Sequence, residues 1–379
     1  MKRSRALDAP TKVAGELTVT GQGRRSAMSA DLHSYAGIAS DFTSVRGLAD
    51  RPQAGPDPLP TPDRTVGVVI ACFDARRMNL LMQAIQSVRD QDYPNTVTVV
   101  VDYNENLFER VLDAVSTDVS VMRNTRSRGA AGARNTAVLK SDCDLLAFLD
   151  DDACAQVGWL RPLVRAMDQS GVVGVGGRIL PRWQEECPRW FPPELGWVVG
   201  ASIVDSNGGN FPVRNVWSGS MMVDRRAIQR VGGFREDLSK VGGAPRPEDT
   251  ELCLRLSHVY GQDGQWLMVP SALVEHYVPA HRATIRYVWN RCWAEGSGKV
   301  QLRTMAADRG RALSDERIYL SRAIPHAIGA GILESLRTKQ ADGLMRSATM
   351  LLGVMAALLG AIITGLGSAI NRREKGESG

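Results

Sequence analysis

Three consecutive carboxylates, Asp150-Asp151-Asp152, close a run of apolar residues from Leu145 to Leu149. Carboxylates this close repel one another, and a divalent cation placed among them relieves the repulsion. Oxygen ligands suit Mg2+ or Mn2+, with water and diphosphate oxygens completing the shell. Such a cation neutralises charge that develops on a departing diphosphate. Asp150 and Asp152 are the expected ligands, and Asp151 is expected to face away. The plainer alternative is a solvated acidic turn or a helix N-cap. His276 follows the apolar stretch Ala272 to Val274 and is a candidate third ligand or diphosphate contact. His281, shortly after it, is a weaker candidate, and either imidazole could equally be structural.

Four further groups have side chains suited to chemistry. Asp102 ends the apolar run Val97 to Val101 and could accept from the N–H of a uracil-type base or from ribose hydroxyls; otherwise it is a turn residue before Asn104. Gly129-Ala-Ala-Gly132-Ala-Arg134-Asn135 offers small residues where backbone must approach a ligand, with the Arg134 guanidinium near a helix start. It is not GxGxxG and follows a third strand, which disfavours a dinucleotide fold. Glu248-Asp249 opens a helical stretch behind Pro247, and Asp249 could serve as the general base for an acceptor hydroxyl. Acidic residues in a first helical turn are also expected from the helix dipole alone, which accounts for Glu251 and for Glu248. Trp217, Gly219 and Ser220 either border a sugar or acceptor pocket or are ordinary strand residues.

These residues need a frame. Val66 to Cys72, Val97 to Val101, Val119 to Met122 and Leu145 to Leu149 are short Val/Ile/Leu-rich runs separated by helical patterns. The alternation predicts an α/β fold, a mostly parallel sheet with helices on both faces. Ligands bind beyond the carboxyl ends of such strands, where Asp102 and Asp150 to Asp152 both fall. Further helices are expected from Trp159 to Asp168, from Pro247 to His258 and from Thr284 to Met305, and further strands over Val172 to Leu180 and Val216 to Val223.

The chain has 379 residues, a formal charge of +5 and 44% hydrophobic residues, enough for a catalytic domain with accessories. Excess positive charge favours anionic partners, but no helix-turn-helix, zinc-knuckle or aromatic RNA-binding signature is present, so nucleic acid is not an expected partner. The six cysteines lie far apart without a CxxC pair, as reduced thiols would. Residues 1–64, rich in Ser, Gly, Ala, Pro and Asp, predict a mobile tail and linker without a secretory signal. From Ser347 to Ile370 no residue is charged, which predicts a transmembrane or membrane-embedded helix over 344–371, with a buried core helix as the alternative. The stretch before it, 306–343, is expected to be helical and amphipathic, and 372–379 forms a basic tail.

Taken together, Val66 to Cys72, Val99-Val-Val-Asp102, Gly132-Ala-Arg-Asn135, Phe148-Leu-Asp-Asp-Asp152, Trp217-Ser-Gly-Ser220, Gly232-Gly-Phe234 and Glu248-Asp-Thr-Glu251 resemble the family 2 glycosyltransferases of GT-A fold. The resemblance runs from about Thr65 to Lys299, and a domain over 65–305 is expected. It implies that Asp102 binds the base, that Asp150 and Asp152 contact ribose and the diphosphate-bound Mn2+ or Mg2+, and that Asp249 is the catalytic base. Arg134, Trp217, Gly219 and Glu248 remain, from their residue types and positions, the expected substrate contacts, and His276 the expected third metal ligand. In place of the usual Pro-Thr-Tyr-Asn-like turn after the first strand the chain has Ala71-Cys72-Phe73-Asp74. The QxxRW signature of processive members is missing: Arg291-Cys292-Trp293 lacks the glutamine.

The expectation is therefore an inverting, metal-dependent transfer of one sugar from a nucleoside-diphosphate donor, UDP type favoured. The expected acceptor is lipid-linked, of polyprenyl phosphate type, or a surface glycan. The resemblance to members acting on lipid-linked acceptors implies membrane association with the catalytic domain facing the cytoplasm. Two alternatives stand beside it. A sugar nucleotidyltransferase would usually show a basic Gly-rich loop after the first strand, for which Arg76-Arg77 is a poor substitute. The other is a non-catalytic, membrane-anchored sugar-binding protein.

Overall fold

The computed structural model describes residues 64–202, 209–239, 247–305 and 319–376, so the expected tail over 1–64 lies almost wholly outside the described residues, as does 306–318. The first half alternates as the apolar pattern requires: β1 (Val66–Cys72), α1 (Met78–Arg89), β2 (Thr96–Val101), α2 (Glu105–Ala114), β3 (Val119–Arg123), α3 (Ala130–Lys140) and β4 (Leu145–Asp150). Strands β1 and β4 are buried on both faces, which is why their sequences are nearly continuous in apolar residues. Helix α1 lays Leu81, Ala84, Ile85 and Val88 on the sheet at helical spacing. Asn104 caps α2, its side chain accepting from the Leu107 N–H at 3.1 Å.

The second half contains β5 (Ala153–Ala155), α4 (Leu160–Met167), β6 (Val172–Trp183), β7 (Phe211–Val213), β8 (Ser220–Asp224), α5 (Arg225–Arg230), α6 (Glu248–Tyr260) and β9 (Gln265–Val278). The sheet order is β3-β2-β1-β4-β8-β6-β9-β5, with β7 on β9. The strands β3-β2-β1-β4 are parallel, but β8 enters antiparallel to both β4 and β6, so the sheet is mixed rather than parallel throughout. Met221, Met222 and Val223 of β8 are buried on both faces, and a doubly buried apolar run reads the same in either direction. Strand β1 lies between β2 and β4, so the chain order reverses there and the carboxyl ends of β1, β2 and β4 open one crevice.

Beyond the sheet come α7 (Ile285–Met305), a π-helical turn over Tyr319–Ala323, α8 (Ile324–Thr338) and α9 (Asp342–Gly376). A third core, separate from the two on either face of the sheet, joins them to the 3-10 segment Pro193–Val199. It contains Phe191, Leu195, Val199, Val278, Val288, Cys292, Ile324, Met350 and Ala356. Among the described residues one helix is long and apolar enough to cross a membrane, Asp342–Leu366, with mean hydropathy 2.2 and 28% of its apolar window buried. All six cysteines are free thiols.

Candidate active site

The acidic run sits where β4 ends beside β1, with Asp150 in register with Ala71. The three-residue strand β5 then does the assembling. It pairs antiparallel with β9, setting Ala153 opposite His276, and the Asp152 carbonyl accepts from the Tyr277 N–H at 2.8 Å. His276 Nε2 thereby comes within 3.2 Å of Asp152 Oδ1. One donor atom from each of Asp150, Asp152 and His276 lies within 4.8 Å of the others. Two carboxylates and an imidazole fit a hard divalent ion that keeps further positions for water or phosphate oxygens. Gly200, at φ 90°, ends the 3-10 segment against the imidazole edge, so a side chain there would displace the ring.

Asp151 lies outside that triplet. Its Oδ1 accepts from Arg77 at 3.2 Å, while Asp152 Oδ2 accepts from the same Arg77 nitrogen at 2.9 Å. Burial first, and then the neighbouring Asp152 charge, push the Asp151 carboxyl up to about 7. Burial acts the same way on Asp152, yet His276, Arg77 and Arg282 outweigh it and hold that carboxyl well below the usual carboxylate range. Arg282 lies 3.9 Å from Asp152 Oδ2. Neither Arg77 nor Arg282 stands out by motif. The available signal for Arg77 was position alone, just past the carboxyl end of β1 at the same edge as the aspartates.

Arg134 is turned inward from α3. One guanidinium nitrogen donates to Glu248 Oε1 at 2.9 Å and another to Asp150 Oδ1 at 3.1 Å, with the Phe234 ring 5.5 Å away. It therefore ties the first aspartate of the DxD run to the start of α6. Glu248 has no exposed surface and meets Arg134 rather than open space. Glu251 is occupied by Arg255 of its own helix at 2.8 Å. Asp249, between them in the helical turn, differs. Its Oδ2 accepts from the Ser218 N–H at 3.2 Å, and its buried Oδ1 has no hydrogen-bond partner.

The segment before β8 forms a wall of this site. A Cβ on Gly219 would stand 3.0 Å from Asp150 Oδ2, so the glycine lets the Asp150 carboxylate lie flat against the backbone. Ser220 accepts from the buried Trp159 indole at 2.9 Å, a structural bond, and Trp217 is half-buried. Asp102 is also buried: Oδ1 accepts from Asn124 at 2.7 Å and Oδ2 from the Gly129 N–H at 2.9 Å. It thus holds the turn that opens α3, in which a Cβ at Gly132 would collide with the Ser127 carbonyl. His281 is exposed, and burial is the first cause of its lowered pKa, with Arg282 next.

The fold and much of the sequence have recognisable counterparts. Residues 67–232 match the family described as glycosyl transferase family 2. A glucosyl-dolichyl phosphate glucuronosyltransferase of Haloferax volcanii is 28% identical over 67% of this chain and 82% of its own. A pre-mycofactocin glycosyltransferase of Mycobacterium tuberculosis is 30% identical over 45% of this chain and 34% of its own. Among solved structures, a mannosyltransferase from Pyrobaculum calidifontis, in complex with GDP-Man and Mn2+, shares the fold. It has a TM-score of 0.54 and 16% identity, over 89% of this chain and 96% of its own.

Proposed function

We propose that this chain is a family 2 glycosyltransferase of GT-A fold that transfers one sugar with inversion from a nucleoside-diphosphate sugar, a uridine donor being favoured. The observation that carries the proposal is Asp249: one carboxylate oxygen is fixed by the Ser218 N–H and the other is buried without a partner. An oxygen so placed accepts the proton of an acceptor hydroxyl. The hydroxyl oxygen then bonds to the anomeric carbon from the side opposite the diphosphate, and the bond from that carbon to the diphosphate oxygen breaks. The released nucleoside diphosphate carries the bonding electron pair.

The remaining residues have supporting tasks in this reading. Asp150, Asp152 and His276 would hold Mn2+ or Mg2+, which when bound neutralises charge on the diphosphate. Arg134 orients Asp150 and the start of α6, while Trp217 and Gly219 border the sugar. Asp102, already holding the turn before α3, keeps further lone pairs for a base N–H. A lipid-linked acceptor of polyprenyl phosphate type is favoured over a soluble glycan. The dolichyl-phosphate substrate in the name of the Haloferax relative and the apolar helix α9 both support a lipid-linked acceptor at a membrane; a cytoplasmic catalytic domain is part of the same proposal.

Radiolabelled nucleotide sugars incubated with the protein and membrane lipid extract, with and without EDTA, test the proposal. The expected result is label in the lipid fraction and free nucleoside diphosphate, both suppressed by EDTA. Release of pyrophosphate would mean nucleotidyl transfer, and label transfer unaffected by EDTA would remove the cation.

A further inference from the structure

The apolar helix α9 does not stand apart from the catalytic domain. Its inner face is packed along α7: Gly353 lies against Cys292, Gly296 meets the Ala357 carbonyl, and Gly360 meets the Trp293 carbonyl. Ser297 Oγ also donates to the Gly360 carbonyl at 3.2 Å. These contact points advance together in both helices, so α7 and α9 run side by side in the same direction. Helix α7 carries Arg291, Glu295 and Lys299, with Glu295 paired to both cations at 3.6 and 3.0 Å. If α9 crossed a bilayer in this packing, α7 and its charges would be drawn into the hydrocarbon, where charged side chains are costly.

The outer face of α9 is of another kind. Leu351, Met355, Leu358, Ile362 and Leu366 recur at helical spacing and are between 52% and 60% exposed. Ile332, Leu333 and Leu336 of α8 are also exposed and apolar, and Arg322, Arg337 and Lys339 are exposed cations around them. An apolar stripe on one side, with protein on the other and basic residues at the margin, matches a helix lying in an interface between acyl chains and anionic headgroups.

We infer that α8 and α9 form an in-plane membrane-binding face for an anionic lipid surface, and that α9 does not span the bilayer. This inference rests on the membrane association proposed above and specifies its geometry. It also has a consequence for the site. Val278, two residues beyond His276 on β9, belongs to the core shared with α7 and α9, and Gly200 of the neighbouring 3-10 segment touches the His276 ring. The helices that carry the lipid-binding face and the strand that carries His276 thus share one packed core.

Two measurements on the full chain test this. Co-sedimentation with phosphatidylcholine vesicles containing about one-third phosphatidylglycerol should show binding, weaker by at least about tenfold on pure phosphatidylcholine and in a Leu358→Glu, Ile362→Glu variant. Both substituted side chains are exposed, so folding is retained and checked by circular dichroism. No binding to either vesicle, or a detergent-free dimer that these substitutions dissociate, would overturn the lipid surface and with it the membrane reading. Second, a protease site appended after Gly379 is probed in sealed membranes from expressing cells. The in-plane arrangement expects the site and the catalytic domain to be cut from the same side. Protection of that site while the catalytic domain is cut would overturn the in-plane placement and leave membrane association standing.

Discussion

Replacing Arg134 by methionine should destabilise the domain far more than a surface charge change, and in a way that a second substitution repairs. The guanidinium is buried and makes two bonds, at 2.9 Å to Glu248 and 3.1 Å to Asp150. The two are unequal. The Asp150 side chain is 31% exposed and that of Glu248 is 0%, so solvent screens the first pair and not the second. Removing one member of a buried pair costs about 3–5 kcal/mol, because the remaining charge loses its compensation. The Asp150 pair adds at most about 1 kcal/mol. At roughly 2–4 °C per kcal/mol, the melting temperature should fall by about 6–24 °C. Glu248→Gln removes the charge but keeps an acceptor for Arg134, and should cost about 1–2 kcal/mol. The double variant carries no stranded carboxylate, so its loss should fall short of the sum of the singles by about 2 kcal/mol or more. Urea denaturation of all four proteins in one detergent, with equal m values, reads this cycle directly. A single Arg134→Met loss below about 1 kcal/mol, or strict additivity in the double variant, would refute the argument that Arg134 is there to hold the acidic pair.

Three other outcomes follow from the site and its surroundings. Asp249→Asn is near-isosteric and retains an acceptor for the Ser218 N–H, so stability should change little while turnover falls about 10²–10⁴-fold and donor binding by calorimetry persists; undiminished turnover would exclude the residue as base. For the cation, Mn2+ at about a hundred times its dissociation constant should stabilise the protein by about 2.7 kcal/mol in thermal denaturation, and Asp152→Asn and His276→Ala should each remove most of that gain. For pH, Glu236 accepts from Ser127, Asn135 and Arg126, bonds that outweigh its burial and hold its carboxyl at about 2. A carboxyl depressed on folding contributes stability that is complete above its ordinary value of 4.5 and lost as pH falls toward 2. Denaturation curves at pH 6 and pH 3 should therefore differ by less in Glu236→Gln than in the parent, and an unchanged difference would contradict the assignment.

The parts legible in the sequence are those whose physics is local. The doubly buried strands β1, β2 and β4 announce themselves as apolar runs, and an aspartate at the end of such a run can only face the crevice edge. Hence Asp102 and Asp150 to Asp152 were locatable without coordinates. The direction of β8 was not, because direction is decided by its neighbours and leaves no mark on a strand buried on both faces. Arg77 was legible only as a cation just past the carboxyl end of β1, not as a partner of the aspartates. Its importance comes from a 3-10 turn that points one guanidinium nitrogen at two carboxylates in the turn between β4 and β5. Arg134 illustrates an intermediate case: a cation beside a Gly-rich turn reads as a ligand contact, and only the burial of Glu248 reveals that its hydrogen bonds are taken up internally.

That distinction bears on how the acidic run works. Five carboxylates, Asp150, Asp151, Asp152, Glu248 and Asp249, converge from β4 and α6, and at least two arginines, Arg77 and Arg134, are committed to them. Each arginine joins a residue of the proposed cation site to one outside it: Arg77 joins Asp152 to Asp151, and Arg134 joins Asp150 to Glu248. The two aspartates proposed as ligands are thus each held by a fixed positive charge from a different element. Asp249 accepts instead from the Ser218 N–H, keeps its other oxygen without a hydrogen-bond partner, and feels Arg134 only as a nearby charge. Carboxylates that must stay still are clamped by arginine, and the one that must accept a proton is fixed by a neutral backbone N–H instead. A guanidinium hydrogen-bonded to Asp249 would occupy the oxygen that must take the proton; Arg134 instead spends its hydrogen bonds on Glu248 and Asp150 and reaches Asp249 through its field.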